Sequence, residues 1–121
     1  MCGIVGFVNY KKELPNKKNV INTMTQTLSN RGPDEEGLYL NNNVALGHKR
    51  LIVIDPQGGK QPMIQRFNQG EYVIVYNGQI YNTKELRKTL TENGFTFYGH
   101  CDTEKLHTLW KRCCKSSKWN F

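Results

Sequence analysis

A cysteine stands directly after the initiator methionine, in Met1-Cys2-Gly3. Removal of Met1 would leave Cys2 with a thiol nucleophile and an amine base on one residue. A free thiol titrates near ~8.5 and an α-amino group near ~7.7–8.0. At neutral pH part of that amine is unprotonated and can take the thiol proton, directly or through a water. Taken alone, Cys2 could equally be a small residue opening a strand. The apolar run Cys2-Gly3-Ile4-Val5-Gly6-Phe7 suggests a buried strand whose end would hold the thiol in place.

Four other clusters carry chemistry: Arg31-Gly32-Pro33-Asp34, Gly47-His48-Lys49-Arg50-Leu51, Asn77-Gly78-Gln79-Ile80-Tyr81-Asn82 and Cys101-Asp102-Thr103-Glu104. The planar guanidinium of Arg50 can grip a carboxylate bidentately, which a lysine cannot; otherwise it is a solvated surface arginine. Asn77-Gly78 reads as an ordinary turn. Asp102 reads as a helix N-cap. His100, Cys101, His107, Cys113 and Cys114 fit no common zinc spacing, so no metal is expected.

The elements that must position these residues follow in chain order. Cys2 to Asn9 reads as a strand. Val20, Ile21, Met24 and Leu28 fall at helical spacing, predicting a helix over 19–29 with Asn16 as a plausible N-cap. Gly32-Pro33 stops it. Residues 37–40 and 44–46 flank Asn41-Asn42-Asn43, a hairpin signal because Asn tolerates positive φ. Leu51 to Ile54 is an apolar stretch, and Asp55 to Met63 must be loop. Residues 64–67 and 72–76 flank Asn68-Gln69-Gly70, a second hairpin. A helix is predicted over 83–93, with Asn82 and Glu85 as a capping-box pair, Leu86 and Leu90 facing inward and Gly94 at C′. Phe95 to Tyr98 reads as a short strand. Asp102 or Thr103 could cap a third helix, with Leu106, Leu109 and Trp110 on one face. Antiparallel strands interspersed with helices point to an α+β domain.

With 121 residues there is room for at most one domain. No apolar run approaches the ~18 residues of a membrane span, and no secretory signal is visible. A cytoplasmic chain is the expectation, with no membrane partner. The net charge of +7 suggests an acidic partner, but its distribution argues otherwise. Residues 105–121 hold five basic residues and no acid; residues 1–104 hold 12 basic against 10 acidic. The body is nearly neutral, so no nucleic acid is expected.

Taken together and in this order, the motifs resemble class II glutamine amidotransferases, which are N-terminal nucleophile hydrolases. The resemblance is closest to the glutaminase domain of glutamine-hydrolysing asparagine synthetases, favoured by Gln61-Pro62-Met63 and the 77–82 turn. It covers residues 1–104 and implies an αββα sandwich of antiparallel sheets, incomplete here at the C-terminus. It implies that Cys2 attacks the side-chain amide of L-glutamine to form a thioester, with Asn77 and Gly78 on the oxyanion. Arg50 would bind the substrate α-carboxylate, Leu51, Ile52, Val53 and Ile54 would form a strand lining the glutamine slot, and Asp102 would face the α-ammonium. Gln79 departs from the subfamily's usual glutamate at that ammonium. No cofactor is implied on this chain: ATP and Mg²⁺ belong to a synthetase domain that the resemblance places further along the same polypeptide. The alternatives are an inactive fragment that at most binds glutamine, or the glutaminase part of another class II amidotransferase. Residues 105–121 are expected to be a divergent tail of frameshifted origin. One AT-rich back-translation of residues 109–121, read from its second base, encodes a tyrosine-glycine stretch followed by an asparagine-glycine pair. A chain ending so is expected to be poorly soluble and to hydrolyse little glutamine.

Overall fold

The computed structural model describes residues 1–67 and 70–115. Asn68 and Gln69 of the expected second hairpin and the residues from 116 on, Trp119 included, lie outside the described residues, as do the side chains of Cys114 and Lys115. The elements are β1 (Gly3–Val8), α1 (Lys17–Gln26), β2 (Glu35–Leu40), β3 (Val44–Arg50), β4 (Met63–Phe67), β5 (Gly70–Ile74), α2 (Thr83–Glu92) and α3 (Asp102–Lys115). Among the described residues, antiparallel strands and three helices make a mixed α/β architecture. The chain divides into two compact units.

The first unit comprises residues 1–53, 60–62 and 75–77. Its sheet has the order β1-β3-β2, all antiparallel. Gly3 pairs with Lys49 and Val8 with Val44; Glu35 pairs with Arg50 and Leu40 with Ala45. The β2–β3 hairpin forms as expected, for a different reason. None of Asn41, Asn42 and Asn43 has positive φ; instead Asn41 Oδ1 accepts the N–H groups of Asn43 and Val44 at 2.9 and 2.8 Å. β3 also runs on through Gly47-His48-Lys49-Arg50, so that motif is strand.

α1 packs on this sheet and buries Ile21 and Thr25 completely. Asn16 is its N-cap, but in the left-handed region (φ 57°) and without a side-chain bond to the helix. α1 ends earlier than expected. From Thr25 the bonds tighten to three-residue spacing, Leu28 N to Thr25 O and Ser29 N to Gln26 O, before Gly32 and Pro33.

The second unit comprises residues 54–59, 63–74 and 78–121. β4 and β5 pair from Met63–Ile74 to Phe67–Gly70, with Phe67 and Tyr72 stacked at 4.1 Å. In α2 Leu90 is fully buried, worth about 1.5–3 kcal/mol. Gly94 sits at C′ with φ 84°, and the Phe95 N–H reaches Leu90 O at 3.1 Å, completing a Schellman end. The Asn82–Glu85 capping box does not form: Asn82 makes no side-chain bond to the helix.

Two further expectations fail in this unit. Phe95 to Tyr98 is not a strand. The Tyr98 and Gly99 N–H groups donate to the Glu104 carboxylate at 2.7 and 2.9 Å instead of to a neighbouring strand. The buried face of α3 is not Leu106, Leu109 and Trp110, which remain half-buried or exposed. It is Thr103, Glu104, Lys105, His107 and Thr108, each 6% exposed or less.

Candidate active site

Cys2 lies just before β1, half-buried, with its thiol against the backbone of Leu51. The sulfur donates to the Leu51 carbonyl at 3.6 Å and accepts the Leu51 N–H at 3.4 Å. Leu51 follows the last residue of β3, so the β1–β3 pairing brings the two together. The second motif joins the same corner. Arg31 Nε donates to the Cys2 carbonyl at 3.3 Å. Asp34 donates its N–H to the Arg50 carbonyl at 3.0 Å, and its carboxylate takes the Ile52 N–H at 2.7 Å. Three of the sequence clusters thus meet at one end of the first sheet.

Leu51 to Ile54 is irregular backbone, not a strand. The N–H groups of Leu51 and Ile52 go to the Cys2 sulfur and to Asp34 instead of to a neighbouring strand. Nor does the stretch form a core: Val53 is 79% exposed and Ile54 51%.

Arg50 is 4% exposed, and its Nη1 donates to Glu35 Oε2 at 2.6 Å. Both line a cleft of about 310 Å³ together with Gly37, His48, Lys60 and Gln61. His48 is buried, and neither ring nitrogen completes a hydrogen bond. Burial first, and then the Arg50 charge, hold its pKa below the ordinary histidine value. The Tyr76 carbonyl and the Glu35 carboxylate pull the other way without offsetting them. A neutral imidazole therefore sits beside a buried ion pair.

The Gln61 side chain does the work of a missing strand. Its Nε2 donates to the Tyr76 carbonyl at 3.1 Å, and its Oε1 accepts the Tyr76 N–H at 2.5 Å. That two-point hold fixes the backbone immediately before Asn77. Gly37 makes room for the turn: a Cβ there would fall 1.9 Å from the Gln61 carbonyl oxygen.

Of the remaining predicted site residues, Asn77 is exposed in the first unit, and Gly78, Gln79, Ile54 and Asp102 belong to the second. Within the second unit Asp102 Oδ2 accepts the Ile80 N–H at 2.9 Å, which ties the start of α3 to the segment after Gln79. Asp55, in the left-handed region (φ 53°), accepts the N–H groups of Gly58 and His100 at 2.8 and 2.6 Å. Burial raises the pKa of the Cys101 thiol, whose sulfur donates to the Gly58 carbonyl at 3.4 Å.

Several of these partners were not identified from sequence. Glu35 could have been, since counting back along the hairpin sets it opposite Arg50. The backbone-binding roles of Asp34, Asp55, Gln61 and Glu104 leave no local signal, because each reaches across a bend or loop.

Comparison with known proteins gives a consistent result. The profile of the glutamine amidotransferase domain matches residues 1–118. The chain is 44% identical over 117 residues to asparagine synthetase [glutamine-hydrolyzing] 3 of Bacillus subtilis, covering 94% of this chain and 19% of that protein. It is 38% identical over 108 residues to asparagine synthetase 1 of the same organism, with 88% and 17% covered. With asparagine synthetase 1 of Arabidopsis thaliana it shares 39% over 103 residues, with 84% and 17% covered. The chain spans less than a fifth of the length of these relatives.

Proposed function

The chain belongs to the glutamine amidotransferase domain family, and on that premise we propose that it is the glutaminase part of a glutamine-hydrolysing asparagine synthetase. It hydrolyses L-glutamine to glutamate and ammonia. The ammonia goes to an aspartyl-adenylate in an ATP-dependent domain of the full polypeptide, and ATP and Mg²⁺ bind there. The fold that accompanies this reading is the αββα sandwich of antiparallel sheets.

Each step follows from the chemistry of the residues. Once Met1 is removed, the Cys2 amine takes the thiol proton and the thiolate attacks the amide carbon. The Asn77 amide and the Gly78 N–H donate to the oxyanion, each worth roughly 10²–10³ in rate. The Cys2 ammonium returns that proton to the amide nitrogen, the tetrahedral intermediate collapses to a thioester as ammonia leaves, and water then hydrolyses the thioester to release glutamate and the free thiol. Arg50 receives the α-carboxylate, Asp102 and Gln79 face the α-ammonium, and Leu51 to Ile54 line the slot with backbone groups.

The observation that carries this reading is the seat of the Cys2 thiol on the Leu51 backbone, one residue beyond Arg50. It supports the reading because the thiol lies against the start of the stretch proposed to line the glutamine slot. The test is the mass of the purified protein, to follow Met1, together with ammonia release from glutamine. Cys2→Ala and a variant that retains Met1 should both lose glutaminase activity while still binding glutamine. Full activity in Cys2→Ala would remove the nucleophile assignment. Binding without turnover in the Met1-free native chain would favour a fragment that only holds glutamine.

A further inference from the structure

The carboxylate that opens α3 already has a cation on it. Lys105 Nζ lies 3.1 Å from Asp102 Oδ1 and donates to the His100 carbonyl at 3.0 Å. This is not a solvated surface pair: the Lys105 side chain is 7% exposed and that of Asp102 13%. The i,i+3 spacing on α3 keeps the two heads together. Asp102 Oδ2 is taken by the Ile80 N–H. Gln79, one residue before Ile80, adds no charge. Asp102, Lys105 and Gln79 therefore sum to zero at neutral pH, where an α-ammonium would need a negative seat.

We propose that Lys105 is a specificity-determining residue: its ammonium occupies Asp102 in place of the substrate's α-ammonium. The domain then accepts γ-carboxamides with a free carboxylate whether or not they carry an α-amino group. This rests on the assignment of Asp102 to the α-ammonium made above. An incoming ammonium must displace Lys105 or share one carboxylate with it, and either route forfeits part of a charge-assisted bond. A ligand without the amino group leaves the pair intact and strands no charge.

The experiment is calorimetric titration of the 121-residue protein with glutamine and with glutaramate, which is glutamine lacking its α-amino group. The wild type should bind the two within about threefold of each other. Lys105→Met, which keeps the stem and removes the charge, should shift the ratio about tenfold toward glutamine, with no gain for glutaramate. Lys105→Arg should keep the wild-type ratio, separating lost charge from lost packing. Because the readout is a ratio within each variant, it does not depend on the fraction folded. An unchanged ratio in Lys105→Met, or a wild type that favours glutamine by about a hundredfold, overturns the role of Lys105 and leaves the glutamine assignment standing. If neither compound binds any of the three proteins, the glutamine assignment itself fails and this inference falls with it.

Discussion

Position 79 holds a carboxamide where a carboxylate would bring a full charge to the proposed ammonium seat. Hydrogen bonds to charged groups contribute about 1.5–3 kcal/mol against about 1 for neutral pairs. Gln79→Glu should therefore lower the KM for glutamine by about threefold to tenfold in an ammonia-release assay. An unchanged or higher KM would mean that this residue acts through its backbone alone. The residues proposed for direct chemical roles, Cys2, Arg50, Asn77 and Asp102, stand out in the sequence by type and neighbours. Their partners were not legible in the same way. Lys105 looks like one of five basic residues in a charged tail, and only its burial on Asp102 sets it apart. His48 sits in a motif rich in polar residues, and nothing in its neighbours reveals that both ring nitrogens end without a partner.

Among the elements, Gln61 is the one whose removal tests an argument about position. Its amide makes both bonds to the Tyr76 backbone, and Asn77 comes next in the chain. Gln61→Met keeps the bulk and removes both bonds. The expected outcome is a fall in kcat of about 10- to 100-fold, the scale of a misplaced reacting group. The KM should move little, because the contacts proposed for Arg50 and Asp102 with the substrate are untouched. A proportional rise in KM with constant kcat would count against it. The elements expected from sequence were found where periodicity or turn chemistry was local: β1, the β2–β3 hairpin, the β4–β5 pair, and α2 with its Gly94 end. Errors gathered where side chains replace a ladder. Phe95 to Tyr98 and Leu51 to Ile54 are both apolar enough to read as strands. Glu104 and Asp34, respectively, take N–H groups that a strand would have given to its neighbour. The inward face of α3 was misread for a related reason. Glu104, Lys105 and Thr108 on that face are held by hydrogen bonds, a pattern invisible to hydrophobic spacing.

At the scale of the molecule, the buried histidines set a pH limit, one in each unit. His48 and His107 are 1% and 2% exposed, and neither ring completes a hydrogen bond. Burial lowers both pKa values against the upward pull of the Tyr76 backbone at His48 and the Tyr72 backbone at His107, where Lys111 adds to the lowering. Above ~6.5, folded and unfolded rings are alike neutral and the histidines leave stability unchanged. As the pH falls below that value, the unfolded rings take up protons and the folded ones do not. Stability then declines until the pH passes the lowered native values. A falling Tm between pH 7 and pH 5 is expected, with a smaller slope in His107→Leu. At pH 7 that variant should lie within about 1 kcal/mol of wild type, because it abandons no hydrogen bond. An equal slope in both proteins would exclude His107 as a contributor.

The segment from Tyr98 to His100 has a further consequence, which concerns the order in which the chain is made. Asp55 holds the His100 N–H from upstream, and Glu104 holds those of Tyr98 and Gly99 from downstream. A polypeptide leaves the ribosome N-terminus first. When His100 emerges, only the upstream half of this cradle exists. The loop settles when Glu104 has followed and the first turn of α3 has wound, so this part of the second unit takes shape only after residue 104 is made. The first unit has no such wait for α3: its last segment ends at Asn77, and the glutamine that clamps that segment, Gln61, has already been made.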